Sequence, residues 1–247
     1  MPPIRLAANN ASEWTGPTGN NTYLLIGPPA ILIDAGIGDP AHVTAIATAL
    51  DDAPLDLILV THHHVDHVAG VPALLARWPG AVVRGGGAGA ALVEGEGFQS
   101  GSTTLRAIHT PGHAADHFCF FDEDSRDMYC GDLARIGGTV VIPASRGGDL
   151  DAYLGSLERV RDLRPSRFLP AHGPTIEDPT SLIDSYIAHR RARHEEILAA
   201  QRAGCRTLAE IVAHVYPDLS PRLRAAAEET VRAHLEYARQ LPGAPRT

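Results

Sequence analysis

Residues 55–67 read LDLILVTHHHVDH, an apolar run followed at once by a cluster of histidines. Leu55 to Val60 is a short, nearly continuous apolar run, which is typical of a β-strand buried on both faces. The run leads directly into Thr61 and a segment with four histidines and one aspartate within six positions. A cluster of metal-ligating side chains therefore follows a buried strand, where a rigid scaffold presents it.

The spacing inside this cluster suits metal ions. Alternate residues of an extended segment point the same way, so His62 and His64 can converge on one ion. Asp66 and His67 follow where the chain turns and can reach a second ion. Imidazole and carboxylate side chains at such spacing suit zinc or another divalent first-row metal. The spacing therefore favours a metal site over a histidine-rich surface loop.

Short apolar runs and turn residues predict the surrounding elements. Strands are predicted at 21–27, 30–34, 81–84, 103–109, 118–121, 128–130 and 168–170, and helices at 40–50, 71–78 and 149–163. This order favours sheets covered by helices on their outer faces over a purely parallel alternation. Beyond residue 178 the pattern is helical, at 180–203, 208–215 and 220–240. We therefore expect a first domain of residues 1–178 and a helical module of residues 179–247.

Three later segments add ligand candidates, and each follows a predicted strand. They are His109-Thr-Pro-Gly-His113, Gly131-Asp132 and Ala171-His172-Gly173. With the HxHxDH segment, and in this order, they resemble the metallo-β-lactamase superfamily of hydrolases. The resemblance extends over about residues 18–175.

The resemblance implies an α/β fold, the αββα sandwich, with two metals at one edge. His62, His64 and His113 would hold one ion; Asp66, His67 and His172 would hold the other; Asp132 would bridge both. Asp66 and Asp132 are then the candidate catalytic residues. Zinc is favoured, and iron or manganese also fits this ligand set. A water or hydroxide between the ions would be the nucleophile, and the ions would polarise the bond under attack.

The helical region, with YIAHRRARHEEIL at residues 186–198, is similar to the β-lactamase-like protein 2 subfamily, in which a winged-helix-like module caps the hydrolase. That subfamily has a single-strand endoribonuclease among its members and also resembles thioesterases that act on acyl carriers. The formal charge of −8 disfavours nucleic acid, because residues 1–175 hold 11 arginines against 19 acidic residues. We therefore expect hydrolysis of an ester, thioester or lactone of a small molecule or acyl carrier. A ribonuclease and a non-catalytic metal-binding module are the alternatives.

Some residues outside the motif are candidate substrate contacts. Asn21 and Trp14 lie near the first predicted strand, where pocket walls of this superfamily are often found, and His117 lies four residues after His113. Arg190 falls on the apolar stripe of its helix and would either pair with an acid of the first domain or bind an anionic substrate group. The sequence predicts no membrane span and no signal peptide, so we expect a cytoplasmic protein with no membrane partner.

Overall fold

Two five-stranded sheets form the centre of the protein in the computed structural model, which describes residues 2–12, 15–51 and 53–241. The first sheet has the order β1-β2-β3-β4-β5. Its strands are β1 (Ile4–Ala7), β2 (Asn21–Leu25), β3 (Ile31–Ile33), β4 (Leu57–Val60) and β5 (Val82–Gly85). β1, β2 and β3 pair antiparallel, whereas β3, β4 and β5 pair parallel. The carboxyl ends of β3 and β4 therefore lie at the same edge.

The second sheet has the order β10-β9-β8-β7-β6. Its strands are β6 (Gly97–Ser100), β7 (Thr103–His109), β8 (Phe118–Asp122), β9 (Asp127–Gly131) and β10 (Arg167–Pro170). Only β9 and β10 pair parallel in this sheet. The parallel pair again brings two carboxyl ends together, here those that lead into Asp132 and His172.

Helices cover the outer face of each sheet, as predicted for the αββα sandwich. α1 (Pro40–Leu50), α2 (Val65–Val68) and α3 (Val71–Arg77) belong to the first half, and α4 (Leu150–Asp162) belongs to the second. The alternation along β2 shows the layering: Tyr23 and Leu25 pack between the sheets, while Leu24 packs under α1 and α3. Burial of both faces explains why the strands read as continuous apolar runs.

The C-terminal part consists of helices joined by short loops, with α5 (Pro179–Arg202), α6 (Leu208–Val215) and α7 (Arg224–Gln240). The first half of α5 packs against the second sheet through Ile183 and Ile187. Its second half forms a separate small core with α6 and α7. Because α5 contributes to both cores, the division at residue 178 stays a prediction. Below, α5–α7 are called the helical module.

Two strands and one α-helix of the structure were not predicted from the sequence, namely β1, β6 and the one-turn helix α2. β1 and β6 lie at sheet edges and are only partly apolar, so they lack the signal of a buried strand. Trp14 lies outside the described residues. Among those residues, no helix combines the length and the apolar character needed to cross a membrane.

Candidate metal centre

The first ligand group gathers at the carboxyl end of β4. His62 follows the strand, His64 is the N-cap residue of α2, and His113 comes from the loop after β7. Nδ1 of His64 lies 2.9 Å from Nε2 of His62 and 2.9 Å from Nε2 of His113. Asp132 completes this group of convergent ligand atoms.

The second group combines Asp66 and His67 of α2 with His172, which follows β10. Nε2 of His172 lies 3.5 Å from Oδ2 of Asp66, and Nε2 of His67 lies 3.6 Å from the same oxygen. The two sheets thus contribute to both groups, because their ligand-bearing strand ends meet at one edge.

Asp132 lies between the two groups. Its Oδ1 is 3.1 Å from Nε2 of His172 and 3.6 Å from Nε2 of His67, while its Oδ2 is 3.4 Å from Nε2 of His113. One carboxylate therefore faces ligands of both groups, which is the placement expected of a bridging ligand.

Proton positions in the first group follow from its neighbours. The Thr61 hydroxyl donates to the Asp34 carboxylate, so at 3.0 Å it accepts a proton from Nδ1 of His62. Nδ1 of His113 lies 2.8 Å from the Val141 carbonyl oxygen, which can only accept. A neutral imidazole with its proton on Nδ1 carries its lone pair on Nε2.

The lone pairs of His62 and His113 consequently both point at Nδ1 of His64. That nitrogen holds at most one proton, so it satisfies at most one of them. Two of these ring nitrogens lie 2.9 Å from the third, and the three carry more lone pairs than protons. Together they form a donor set for a cation, and nitrogen is a ligand that zinc prefers. The residues present therefore fit a divalent metal.

Burial and neighbouring charges set the protonation states. Burial lowers the pKa of His62 well below its usual range, and burial together with His113 lowers the pKa of His64 to about 4. Burial raises the pKa of Asp132, but His172 and His67 lower it more, and the net pKa is well below normal. At neutral pH these side chains are in the forms that bind metal.

The pKa of His67 is shifted in the opposite direction to those of His62 and His64. Burial lowers its pKa, but the carboxylates of Asp34 and Asp132 raise it more, so its net pKa is well above normal. A cation bound at the second group would therefore displace a proton from this ring.

Two residues that support the second group were not predicted from the sequence. Asp34 follows β3 and accepts a hydrogen bond from Nδ1 of His67 at 2.8 Å. Asn20 donates from Nδ2 to Oδ2 of Asp66 at 3.1 Å. Asp34 carries a usable sequence signal, because it ends a predicted strand and parallel neighbours bring such ends together. Asn20 carries none, since it precedes β2 without a motif.

The predicted substrate contacts Asn21 and His117 are turned toward the protein itself. Asn21 is buried, and its Nδ2 donates to the carbonyl oxygens of Pro170 and Gly173 on either side of His172. His117 is fully buried, with Nε2 accepting from the Asp132 N–H at 3.1 Å and Nδ1 donating to the Thr110 hydroxyl at 2.8 Å. Both side chains hold the ligand-bearing main chain instead of facing an open cleft.

Arg190 is placed differently from either prediction. Its side chain is 2% exposed and donates to the Val140 carbonyl oxygen, and its guanidinium carbon lies 5.5 Å from the centre of the Tyr153 ring. In the part of the chain that the structure describes, no acidic residue pairs with it. The expected salt bridge is thus replaced by a carbonyl and an aromatic face, which Arg can also satisfy.

Comparison with known proteins adds independent findings. A family model described as the metallo-beta-lactamase superfamily matches residues 15–102 and 83–172, and one described as a beta-lactamase associated winged helix domain matches residues 207–237. The Beta-lactamase-like protein 2 homolog of Drosophila melanogaster is 34% identical over 257 residues, covering 94% of this chain and 86% of that protein.

Two further comparisons bear on activity and fold. The atrochrysone carboxyl ACP thioesterase of Aspergillus chevalieri is 34% identical over 207 residues, covering 81% of this chain and 65% of that protein. The crystal structure of a metallo-beta-lactamase family protein from Thermus thermophilus aligns with a TM-score of 0.76 at 23% identity, covering 96% of this chain and 93% of that one. The last similarity concerns the fold alone.

Proposed function

The chain belongs to the metallo-β-lactamase superfamily, as its motifs predicted, and from that premise we propose that it is a dinuclear metal-dependent hydrolase of esters, thioesters or lactones. The observation that carries the proposal is the position of Asp132 between two groups of ligands. A two-metal hydrolase is built on such a pair of adjacent sites, whereas a structural metal site is a single closed shell of four ligands.

His62, His64 and His113 would hold one divalent ion, and Asp66, His67 and His172 the other, with Asp132 shared. Mixed nitrogen and oxygen donors favour Zn²⁺, and iron or manganese accepts the same set. When bound, a pair of such ions makes water acidic enough to be a nucleophile near neutral pH and polarises the carbonyl under attack.

The chain's own residues supply position and charge. Asp66 and Asp132 place two ionised carboxylates at one point of the sheet edge, and burial does not neutralise them because imidazoles lie beside both. Asn20 donates to Oδ2 of Asp66, the same oxygen that faces His67 and His172. Removal of the Asp66 or Asp132 carboxylate should therefore abolish hydrolysis without unfolding the two sheets.

Apolar residues beside the ligands support an acyl substrate. Val65 lies between His64 and Asp66 and is 70% exposed; Ile136 lies four residues after Asp132 and is 46% exposed. These exposed apolar side chains flank candidate ligands in the sequence and offer surface to an apolar group. Two relatives named as thioesterases favour the same substrate class, on an acyl carrier or as a small molecule.

The charge of the chain argues against the ribonuclease alternative. Residues 1–175 carry eight more acidic residues than arginines, so their field repels a polyanion. Binding a phosphate backbone needs several cationic contacts, and these would make affinity fall steeply with salt.

The test assays one metal-loaded preparation on acyl thioesters, on lactones and on single-stranded RNA at about 0.15 M salt. We expect turnover of thioesters or lactones and none of RNA.

Asp66→Ala is the inactive variant. Asp116→Ala is the matched control, because Asp116 is an exposed carboxylate paired with His63 outside the ligand set. RNA cleavage that disappears in Asp66→Ala, with inert thioesters and lactones, would replace the proposal by the ribonuclease; binding of metal without any turnover would favour the non-catalytic module.

A further inference from the structure

The segment from Leu133 to Arg146 connects the metal centre with the helical module. It begins directly after Asp132 and ends in a single 3-10 turn, Ala144–Arg146. Several of its main-chain N–H and C=O groups form hydrogen bonds with side chains of α4, α5 and α7. We call residues 133–146 the connecting segment.

The helical module holds the connecting segment at three points. The Tyr186 hydroxyl accepts from the Arg135 N–H at 3.2 Å and lies 2.8 and 2.9 Å from the carbonyl oxygens of Arg135 and Gly138. Arg190 donates to the Val140 carbonyl oxygen. Glu229 of α7 accepts from the Ser145 N–H at 2.8 Å. Within α4, Tyr153 adds a hydrogen bond to the Leu133 carbonyl oxygen at 2.7 Å.

The same segment holds a metal ligand. The Val141 carbonyl oxygen accepts from Nδ1 of His113 at 2.8 Å, which orients the ring and leaves the lone pair on Nε2 for the metal centre. Val140 and Val141 are consecutive, so the carbonyl held by Arg190 and the carbonyl that holds His113 belong to adjacent peptide units. The two planar units are joined at the single Cα of Val141, so only its φ and ψ separate the position of one carbonyl from that of the other.

Arg190 is suited to fix this position. It is 2% exposed, and its guanidinium also stacks near Tyr153. A buried cation is costly unless it is hydrogen-bonded, so the Val140 carbonyl cannot move away without leaving a charge unsatisfied. The side chains of Val140 and Ile142 are buried in the same core as Tyr186 and Ile187 of α5.

We propose that Arg190 and Tyr186 are positioning residues of the metal centre: from the helical module they fix the connecting segment, whose Val141 carbonyl sets the orientation and tautomer of His113. The inference rests on the metal-binding part of the proposed function and not on the reaction. It makes the helical module a structural component of the first ligand group, although none of the seven ligands lies in that module.

A purely structural role for these residues predicts something else. If Arg190 only attached the helical module to the second sheet, its loss would lower stability and leave the metal affinity of the folded protein unchanged. Metal affinity therefore distinguishes the two roles, and activity is not needed as a readout.

The experiment measures inorganic Co²⁺ binding by competition with a chromophoric chelator, together with the visible spectrum of bound Co²⁺. A His172→Ala background weakens the second group, so that the signal reports His62, His64 and His113. In this background we compare Arg190→Met, Arg190→Lys and Tyr186→Phe. The matched control is Arg191→Met, because Arg191 is the next residue of α5 and its exposed side chain pairs with Glu158 at the surface.

We expect Arg190→Met to weaken Co²⁺ binding about tenfold and to alter the spectrum, because groups that orient metal ligands have effects of this size. Arg190→Lys should recover part of the loss, since an ammonium can still donate to the Val140 carbonyl. Tyr186→Phe should weaken binding to a smaller extent, and Arg191→Met should not.

Unchanged Co²⁺ affinity and spectrum in Arg190→Met and Tyr186→Phe, even with a lower melting temperature, would overturn the inference. If Arg190→Met does not fold, Tyr186→Phe decides by the same criterion, because it removes a single oxygen. Normal Co²⁺ binding by the parent protein without hydrolysis of any acyl compound would contradict the proposed function alone.

Discussion

Oδ2 of Asp34 lies 2.8 Å from Nδ1 of His67, and both side chains are buried at the edge where the sheets meet. The other carboxylate oxygen of Asp34 accepts from the main-chain N–H and the hydroxyl of Thr61, at 2.8 and 3.0 Å. The Asp34 carboxylate therefore fixes the His67 ring of the second ligand group. It also fixes Thr61, the residue directly before His62 of the first ligand group. Asp34 adopts a φ of 62°, a conformation that Asn also tolerates.

Asp34→Asn should weaken metal binding at the second group by about 10- to 100-fold, because the amide presents one acceptor oxygen where the carboxylate presents two. The backbone conformation is kept, so the fold should persist. Isothermal titration with Zn²⁺ measures the effect. Asp56→Asn is the matched control, since Asp56 accepts from the Ala30 N–H at the opposite end of the same strands. Equal Zn²⁺ affinities in Asp34→Asn and the parent protein would contradict the prediction.

Protein purified without chelator should contain close to two divalent ions per chain by elemental analysis. Asp132→Ala should lower that value to one or less and remove most of the activity, because Asp132 faces ligands of both groups. A variant that still holds two ions would show that Asp132 does not link the sites. A reproducible value near zero in the parent protein after resupply of metal would contradict the metal centre itself.

Gly112→Ala should destabilise the fold by more than about 1 kcal/mol. Gly112 has a φ of 135°, and an added Cβ would lie 2.3 Å from Cα of Tyr153, so the loop that carries His113 would be pushed off α4. Urea denaturation measures the change. Gly155→Ala in α4 is the control, because its Cβ meets open space and should stabilise the helix by up to about 1 kcal/mol. Equal stabilities of the two variants would contradict this packing.

Acidification should weaken the fold through His234. This side chain is 1% exposed, and burial lowers its pKa to about 3, with Arg190 and His194 adding to the effect. An unfolded histidine has a pKa of about 6.5, so between these values the unfolded chain binds more protons than the folded one. The contribution of His234 to stability is complete above about pH 6.5 and is lost as the pH falls, by up to about 2 kcal/mol at pH 5.

His234→Phe keeps an aromatic ring in the α5–α7 interface and removes the titration. We expect its free energy of unfolding to fall less between pH 7 and pH 5 than that of the parent protein, as measured by urea denaturation at each pH. His214→Phe, at an exposed position of α6, should keep the parental pH dependence. Parallel pH curves for His234→Phe and the parent would contradict the assignment.

Local signals in the sequence predicted most of the fold. The run at residues 55–60 predicted β4 because a strand buried on both faces needs apolar side chains in both directions. Asp39 and Asp149 cap their helices, with side-chain oxygens on main-chain N–H groups of the first turn. Strands β1 and β6 escaped prediction because an edge strand is short and half polar, so its sequence resembles that of a loop.

The convergence of the seven candidate ligands was predictable because each belongs to a motif of fixed spacing that follows a strand. The placement of Asn21, His117 and Arg190 was not predictable, because a polar side chain near a site forms hydrogen bonds with the main-chain groups that lie closest to it. Pro170, Asp132 and Val140 supply those groups from 149, 15 and 50 positions away along the chain. Such contacts depend on how segments distant along the chain pack together, and no local pattern encodes them.

The distribution of ligands over both sheets also has a kinetic consequence. Residues 62 to 67 and residues 113 to 172 meet only after two separately hydrogen-bonded sheets have docked, and closing such distant contacts is slow. Loading of the proposed metal centre therefore requires both sheets to be docked. A nascent chain shorter than 172 residues lacks a candidate ligand of the second group, so during synthesis the proposed dinuclear centre cannot be complete until residue 172 has left the ribosome.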